Sequence, residues 1–196
     1  MGRHNTEEEE IETQNSNRCR KNFKKAPLNN SRRSKIKKIL KKAEKMPLSN
    51  RDIYSVLSKE KNFLGIYSCD TLDGLSILNQ PAFFIVNLDY STEKGSHWIA
   101  IYVTKSNVEI FDSLGFNVSV WQTYPSPLII FLNKYRHSHS FKVSPALQPI
   151  NTFTCGLFCV YFIIYRNRLT FSDCVNKFSR NFVTNNRKLY ALLTKF

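Results

Sequence analysis

The spacing of apolar positions predicts a group of neighbouring strands in the middle of the chain. Segments 81–89 (PAFFIVNLD) and 97–104 (HWIAIYVT) are rich in β-branched and aromatic residues, a composition typical of strands. The polar triplet 105–107 (KSN) predicts a hairpin turn into a third strand within 108–113 (VEIFDS). Three adjacent strands are therefore expected, and segment 140–144 (SFKVS) predicts a further short one.

Apolar residues at helical spacing occur on both sides of these strands. The segment RDIYSVLSKE has one apolar stripe and follows Ser49 or Asn50, either of which can cap a helix. Further helices are predicted for LIIFLNKY, FSDCVNKFSR and NRKLYALLTKF, with Ser172 and Asn185 as the caps of the last two.

One segment is apolar on every side. Residues 155–167 (CGLFCVYFIIYRN) are almost wholly apolar over the length of a helix, so we place this helix at the centre of the core. The predicted architecture is α+β: a small mixed or antiparallel sheet packed against this central helix and flanking helices.

The start of the chain has a different composition and predicts a boundary. Residues 1–46 are polar and charged, with the acidic run Glu7–Glu10 followed by basic clusters. Residues 18–45 contain 13 Lys or Arg and one Glu, and so supply a net charge of +12 out of the formal +14. We therefore predict a disordered acidic-then-basic tail over residues 1–46 and a folded domain over residues 47–196.

The basic half of the tail predicts a polyanionic partner. Ile36, Ile39 and Leu40 recur at i, i+3 and i+4 among lysines, so this part could become a short helix on an anionic surface. Nucleic acid is the expected partner, and a solvated tail or nuclear-import signal is the open alternative. The residues expected to contact phosphates are Arg32, Arg33, Lys35, Lys37, Lys38, Lys41 and Lys42.

Hydropathy and cysteine usage exclude other classes of protein. No stretch approaches the roughly 18 apolar residues of a membrane span, and the N-terminus lacks the apolar core of a secretory signal. The five cysteines have no paired spacing, which favours free thiols over a disulfide framework. These features predict a soluble, intracellular protein that has no membrane partner.

Four residues form a set that could carry out chemistry on a carbonyl group. Cys155 opens the predicted central helix after a loop, and a helix N-terminus and a neighbouring imidazolium both stabilise a thiolate. His97 and Asp112 are about equally far from the KSN turn, so both should stand at the open end of one hairpin, with Asp112 orienting His97. Gln148 can fold back toward Cys155 and help to hold an oxyanion.

Each member of this set has an ordinary structural interpretation when taken alone. A histidine at a strand start is commonly structural, and Cys159, one helical turn beyond Cys155, is expected to be a small buried hydrophobe without a catalytic role. Gly156 is expected to leave room for a substrate backbone. The argument for chemistry is that one hairpin and one loop-to-helix junction deliver all four groups together.

A zinc site is the competing interpretation of some of these residues. His137 and His139 precede Cys155 and Cys159, and zinc takes such ligands. However, His-x-His and Cys-x-x-x-Cys are not the usual spacings of zinc fingers, so this interpretation is disfavoured.

The order His, Asp, Gln, Cys, with its local sequences, resembles the adenovirus-type endopeptidases (adenain) and, more distantly, the deconjugases of ubiquitin-like proteins. The matching segments are FLGIY (63–67), GSHWIAIY (95–102), VEIFDSLGF (108–116) and LQPINTFTCGLFC (147–159). The resemblance implies a papain-like site in adenain-like order. In such a site His97 is the base, Asp112 its orienter, Gln148 the oxyanion donor and Cys155 the nucleophile.

The resemblance also implies a biological role. It is the cleavage of viral or virus-derived-element precursor proteins, commonly after glycine, during virion maturation in the host nucleus or the virion. No cofactor is expected to be required, although DNA could act as a stimulating polyanion. Two alternatives stay open: a deconjugase of SUMO or ubiquitin-like modifiers, and a basic nucleic-acid-binding protein on an inactive protease scaffold.

Three departures from the adenovirus pattern qualify these expectations. The orienting acid is often Glu in adenovirus enzymes, whereas Asp112 within FDSLG is closer to the deconjugase pattern. This chain has no cysteine between Cys69 and Cys155, which argues against a disulfide-linked activating peptide. The N-terminal tail has no counterpart in the adenovirus enzymes.

Overall fold

A computed structural model describes residues 30–116 and 123–196, and Ser31–Phe196 form one compact unit. The helices are α1 (Asn30–Ala43), α2 (Asn50–Leu57), α3 (Ser126–Asn133), α4 (Cys155–Arg166), α5 (Phe171–Val175) and α6 (Asn185–Leu193). The strands are β1 (Phe63–Ser68), β2 (Ala82–Asn87), β3 (Trp98–Val103), β4 (Asn107–Phe111) and β5 (Ser140–Val143). Short 3₁₀ helices cover Cys69–Gly74 and Phe182–Thr184.

The five strands form one mixed sheet in the order β1-β2-β3-β4-β5. The two outer pairs are parallel, and β2, β3 and β4 are antiparallel neighbours. The β3–β4 hairpin is closed at its turn, where the Thr104 N–H donates to the Asn107 carbonyl oxygen at 2.9 Å. The start of β3 and the end of β4 therefore lie at the same end of the sheet.

Successive side chains of a strand point to opposite faces of the sheet, so buried strands present apolar side chains on both faces. Helices cover both faces. On one face, Phe84 packs edge-to-face on Phe131 of α3, with ring centroids 5.5 Å apart. On the other face, Phe111 stacks on Phe162 of α4 at 4.5 Å, and Phe83 contacts the same ring at 6.3 Å. Since α4 is buried over ten of its twelve residues, it is the central helix of the core.

The predicted α+β architecture is confirmed, as are most of its elements. The three adjacent strands, the short fourth strand and the central apolar helix are all present. Ser49 caps α2 in a capping box with Asp52. The caps predicted further on are wrong, because Thr170 caps α5 rather than Ser172, and Asn185 makes no cap bond at the start of α6.

Strand β1 was not predicted from the pattern. Gly65, with a φ of +140°, lies at an irregularity in the pairing of β1 with β2 that interrupts the alternation of apolar side chains. β1 also lies at the edge of the sheet, where most of its side chains are only half-buried. A short edge strand with a bulge carries a weak hydrophobic signal.

The predicted disordered tail is wrong over its second half. Residues 30–43 form α1, whose apolar stripe of Ile36, Ile39 and Leu40 is buried in the folded unit. The Leu40 carbonyl oxygen accepts a hydrogen bond from the Tyr190 hydroxyl of α6 at 3.2 Å. The stripe thus packs on this protein's own core instead of an external surface, and the folded unit begins near residue 31.

Residues 1–29, which contain the predicted acidic run and Cys19, lie outside the described residues. Within the described ranges, none of the helices has both the length and the apolar character needed to span a membrane.

Candidate active site

The sheet and the central helix bring three predicted residues to one place. His97 directly precedes β3 and Asp112 directly follows β4, so the antiparallel pairing places both at the same end of the sheet. Cys155 is the first residue of α4, and it lies close enough to His97 to raise the pKa of the imidazole. All three side chains are buried, with 9%, 2% and 5% of their residue surfaces exposed.

Asp112 is held on every side. Its Oδ1 lies 2.7 Å from His97 Nε2 and accepts the Leu114 N–H at 2.9 Å, while its Oδ2 accepts the Tyr124 hydroxyl at 3.1 Å. The Ser144 hydroxyl accepts from the Asp112 N–H at 2.8 Å and donates to its carbonyl oxygen at 2.7 Å. A carboxylate fixed in this way can hold the imidazole in one orientation.

The environment of His97 favours its protonated form. Burial lowers the pKa of His97, but hydrogen bonds to Asp112 and Cys155, with the charges of both groups, raise it to about 9 from an ordinary value of 6.5. Because Nε2 faces Asp112, the other ring nitrogen, Nδ1, is the one left to bond Cys155. The arrangement suits an imidazolium between a carboxylate and a thiolate.

Gln148 is also buried, and both ends of its amide have partners. Oε1 accepts the Ser113 hydroxyl at 2.7 Å, and Nε2 donates to the Thr152 carbonyl oxygen at 2.8 Å. An amide nitrogen carries two hydrogens, and the bond to Thr152 uses one of them. The other hydrogen is the one that an oxyanion could accept.

The loop that joins Gln148 to Cys155 is held by the first residues of α6. Asn185 is fully buried, and its Nδ2 donates to the carbonyl oxygens of Leu147 at 2.9 Å and Ser179 at 2.8 Å. The Thr154 hydroxyl donates to Asn186 Oδ1 at 3.1 Å. Asn185, interpreted from sequence as a helix cap, instead supports the segment that carries Gln148.

Sequence reasoning missed Ser113 as well as the true role of Asn185. The available signal for Ser113 was its position directly after Asp112, where a strand end delivers two consecutive polar side chains. The local pattern indicated Asn185 only as a helix cap, because its partner Leu147 lies 38 residues away in the chain.

Gly156 and Cys159, which follow Cys155 in the CGLFC string, have structural roles. Cys159 is 1% exposed, and burial raises its pKa well above its usual value, so it is an inert core thiol. The expectation that Gly156 leaves room for substrate is wrong. A Cβ at Gly156 would lie 3.2–3.3 Å from Leu48 and Ile53, so this glycine allows α2 to pack closely on α4.

The structure gives no support to the zinc interpretation. Among the described residues, no group of three or more His, Cys, Asp or Glu side chains could hold a metal ion. His139 instead contacts the Ser138 hydroxyl and packs edge-to-face on Tyr135.

The seven predicted phosphate-contacting residues all lie on α1, where they differ in ion pairing and exposure. Arg32 pairs with Glu60 at 2.6 Å and Lys42 with Asp52 at 2.5 Å, so these two anchor the helix to the folded unit. Lys35 is half-buried, whereas the remaining four are exposed: Arg33, Lys37, Lys38 and Lys41.

Comparison with solved structures finds matches of low sequence identity. The ASFV pS273R protease has a TM-score of 0.45 at 18% identity, over 78% of this chain and 68% of that one. ChlaDub1 from Chlamydia trachomatis has 0.40 at 17% identity, over 59% of this chain and 58% of that one. The SUMO protease Ulp1 has 0.39 at 11% identity, over 87% of this chain and 97% of that one.

No curated protein sequence matches the chain. The sequence model of the adenovirus endoprotease family matches residues 63–187, which is more than half of the chain and covers all four candidate site residues. With this match, and with His97, Asp112 and Cys155 in contact at the start of the central helix, the chain belongs to the adenovirus endoprotease family of cysteine proteases.

Proposed function

We propose that this chain is a cysteine endopeptidase in which Cys155 is the nucleophile, His97 its base and later acid, Asp112 the orienter and Gln148 an oxyanion donor. The observation that carries the proposal is that a buried imidazole, bonded to a buried carboxylate at 2.7 Å, has its pKa raised by the cysteine that opens the central helix. A histidine that is only structural has no need of a thiol partner at a helix N-terminus.

The first half of the reaction forms an acyl-enzyme. In the resting enzyme His97 holds the proton of Cys155, and the thiolate sulfur forms a bond to the carbonyl carbon of the scissile peptide. The resulting oxyanion accepts hydrogen bonds from the remaining N–H of Gln148 and from the Cys155 backbone N–H. When this intermediate collapses, the C–N bond breaks and His97 protonates the departing amine.

The second half regenerates the enzyme. Water enters where the amine left, and His97, now neutral, takes one of its protons as the oxygen attacks the thioester carbon. The same two donors hold the second oxyanion. The carbon–sulfur bond then breaks, which releases the carboxylic acid product and returns the sulfur to its pairing with protonated His97.

The test compares two cysteines on adjacent turns of one helix. Cys155→Ala should abolish hydrolysis of a fluorogenic Gly-Gly peptide and leave the melting temperature nearly unchanged. The matched control Cys159→Ala should retain hydrolysis and mainly lower the melting temperature, because it leaves a small cavity in the core. Hydrolysis by the Cys155→Ala protein would refute the nucleophile assignment.

The proposed substrates are viral or virus-derived-element precursor proteins, cut after glycine during virion maturation. The family assignment supports this choice. The check is a mass-spectrometric map of products from candidate virion precursors incubated with the wild-type and Cys155→Ala proteins. Cleavage at scattered sites without glycine would contradict the specificity.

A second candidate is removal of ubiquitin-like modifiers, and one residue favours it. The orienting acid here is Asp112, followed by Ser113, which is closer to the deconjugase pattern than to the Glu of adenovirus enzymes. Parallel incubation with a SUMO or ubiquitin-like fusion and with a precursor peptide separates the two candidates. Hydrolysis of the fusion alone would favour the deconjugase.

DNA is the proposed accessory partner, bound through the outer face of α1. Support comes from Arg33, Lys37, Lys38 and Lys41, which are exposed on a helix without acidic residues. Such a site contacts phosphates without reading sequence, so its affinity should fall steeply as salt rises. This would concentrate the enzyme on packaged DNA in the nucleus or virion, beside DNA-bound substrates.

A disulfide-linked activating peptide is not proposed. The four cysteines of the described ranges, Cys69, Cys155, Cys159 and Cys174, are all buried as free thiols.

A further inference from the structure

We infer that Ser113 is a positioning residue for the oxyanion donor: its hydroxyl holds the Gln148 amide so that an Nε2 hydrogen faces the carbonyl attacked by Cys155. The inference rests on the proposed function and adds a residue to it. Ser113 and Gln148 are 1% and 4% exposed, and their side chains meet at 2.7 Å, so water does not compete easily for this bond.

The hydrogen-bonding environment selects one orientation of the amide. The Thr152 carbonyl oxygen can only accept, so it requires the NH₂ end of Gln148 on its side. The Ser113 hydroxyl then provides the donor that the amide oxygen needs. A flipped amide would bring Oε1 against the Thr152 carbonyl oxygen, two acceptors without a hydrogen between them.

The backbone of Ser113 holds the same segment. Its carbonyl oxygen accepts the N–H groups of both Leu147 and Gln148, each at 2.8 Å. Main chain and side chain of one residue therefore fix both ends of the glutamine. Loss of the hydroxyl leaves the backbone bonds in place, so a variant at this position isolates the orientation of the amide from the position of the segment.

One turn thereby serves two parts of the site. Asp112 and Ser113 are consecutive, and the turn closes where the Gly115 N–H donates to the Asp112 carbonyl oxygen at 3.0 Å. Asp112 hydrogen-bonds to His97, and Ser113 hydrogen-bonds to Gln148. The same turn therefore positions both the base and the oxyanion donor.

The loss of kcat in Ser113→Ala should not exceed the loss caused by removing the Gln148 amide. Removal of an oxyanion donor lowers kcat by roughly 10²- to 10³-fold. Ser113→Ala leaves the donor present but poorly oriented, with Oε1 buried and unpaired, so kcat should fall by about 10-fold. KM should change little, because the oxyanion exists only near the transition state.

A double-mutant cycle tests whether Ser113 acts through Gln148. With a Gly-Gly fluorogenic peptide, Ser113→Ala should lower kcat in the wild-type background but not in the Gln148→Ala background. The matched control is Ser144→Ala, a second buried serine, which bonds the Asp112 backbone instead. Its effect should multiply with that of Gln148→Ala. Equal effects of Ser113→Ala in both backgrounds would overturn the inference.

Two inhibitors give a readout that a merely structural serine would not move. A peptide glycinal forms a tetrahedral adduct with an oxyanion, whereas iodoacetamide alkylates the thiolate without forming one. Ser113→Ala should weaken the glycinal by about 10-fold and leave the rate of alkylation at Cys155 unchanged. If the affinity for the glycinal and the rate of alkylation both decrease, Ser113 supports the fold in general and the inference is wrong.

Two further arrangements keep the test decisive. If the Ser113→Ala protein does not fold, Ser113→Cys replaces it, because cysteine is nearly isosteric with serine but a weaker hydrogen-bond donor. Only the affinity for the glycinal is then measured. An affinity equal to that of the wild type would overturn the inference. Failure of the proposed function looks different. In that case the wild-type protein does not bind the glycinal, and the Cys155→Ala change does not abolish activity. Both results are independent of the residue at position 113.

Discussion

His97 is the residue at which two opposing physical effects meet. Burial alone would drive its imidazole toward the neutral form, but hydrogen bonds and charge from Asp112 and Cys155 overcome that cost and raise its pKa to about 9. Because the pKa of His97 is raised in the folded state, its protonation stabilises the fold. This stabilisation is fully present below about pH 6.5 and is lost as the pH rises through about 9.

Asp112→Asn should therefore shift the alkaline limb of activity. Asparagine can still orient the ring but cannot stabilise its charge, so the pKa of His97 should fall and the loss of kcat/KM should begin at lower pH than in the wild type. We expect kcat/KM at neutral pH to fall by roughly 10²- to 10⁴-fold, less than in His97→Ala. Profiles of kcat/KM against pH provide the measurement, and superimposable alkaline limbs would assign the third role to another residue.

Gly115 is required by the turn that carries Asp112 and Ser113. Its φ is +93°, and a Cβ would lie 2.9 Å from the backbone nitrogen of Ala146, an atom that cannot move aside cheaply. Gly115→Ala should destabilise the protein by about 1–3 kcal/mol and lower kcat as the turn shifts. The control is Gly74→Ala, where no atom lies within 4 Å of the added Cβ. Thermal unfolding and peptide hydrolysis measure both, and equal melting temperatures would contradict the expectation.

Among the elements, α1 has two different surfaces, a buried apolar stripe and an exposed basic face. In the sequence both belong to one basic segment. Its buried stripe and its two ion pairs, Arg32–Glu60 and Lys42–Asp52, fix the helix on the folded unit. The four exposed cations Arg33, Lys37, Lys38 and Lys41 lie on a fixed helix, so their spacing is set before any partner binds. A preorganised basic face loses less conformational entropy on binding than a tail that must fold first.

Neutralising that face should weaken DNA binding selectively. We expect the triple change of Lys37, Lys38 and Lys41 to Ala to lower affinity for duplex DNA and to reduce the slope of log affinity against log salt by roughly 3. Peptide hydrolysis without DNA should be unchanged.

The control for this change is the triple substitution of Lys59, Lys61 and Lys105, which removes the same charge from exposed positions elsewhere. Fluorescence anisotropy at several salt concentrations measures both. If the two triple variants lose affinity equally, net charge rather than the α1 face makes the contact.

At the scale of the whole molecule, the boundary of the folded unit decides what a minimal enzyme contains. The change of composition at Pro47 indicates a boundary there, yet the compact unit extends back to Ser31. The loop after α1 is part of the core as well, because Trp98 of β3 donates its indole N–H to the Leu48 carbonyl oxygen at 3.0 Å. The same Leu48 packs on Gly156 at the start of α4.

Two truncations should therefore behave differently. A chain beginning at Asn30 should keep the melting temperature and peptide hydrolysis of the full chain. One beginning at Pro47 should be destabilised, because it loses burial of Ile36, Ile39 and Leu40, each contributing about 1.5–3 kcal/mol. Differential scanning calorimetry with a peptidase assay distinguishes them, and equal stability of the two would show that α1 is dispensable.

Elements with a strong local signal could be predicted from the amino-acid sequence alone, and so could the positions of His97, Asp112 and Cys155 relative to them. Runs of apolar residues over β2, β3 and α4 are so strong that no other assignment could bury them. The hairpin turn then located His97 and Asp112 at one sheet end, since antiparallel pairing is fixed by the position of its turn. Cys155 followed from its position at the start of the central helix.

The roles of α1, Ser113, Gly156 and Asn185, in contrast, follow from how distant segments pack in three dimensions. A lysine-rich amphipathic segment looks alike in sequence whether its stripe contacts a membrane, a nucleic acid or its own domain, and burial of the stripe in the folded unit settles which. Ser113 and Asn185 reach partners 35 and 38 residues away. The physical reason is that hydrogen-bond partners of buried polar groups, and the close contacts that require a glycine, depend on which distant segments pack together. Local spacing does not contain that information.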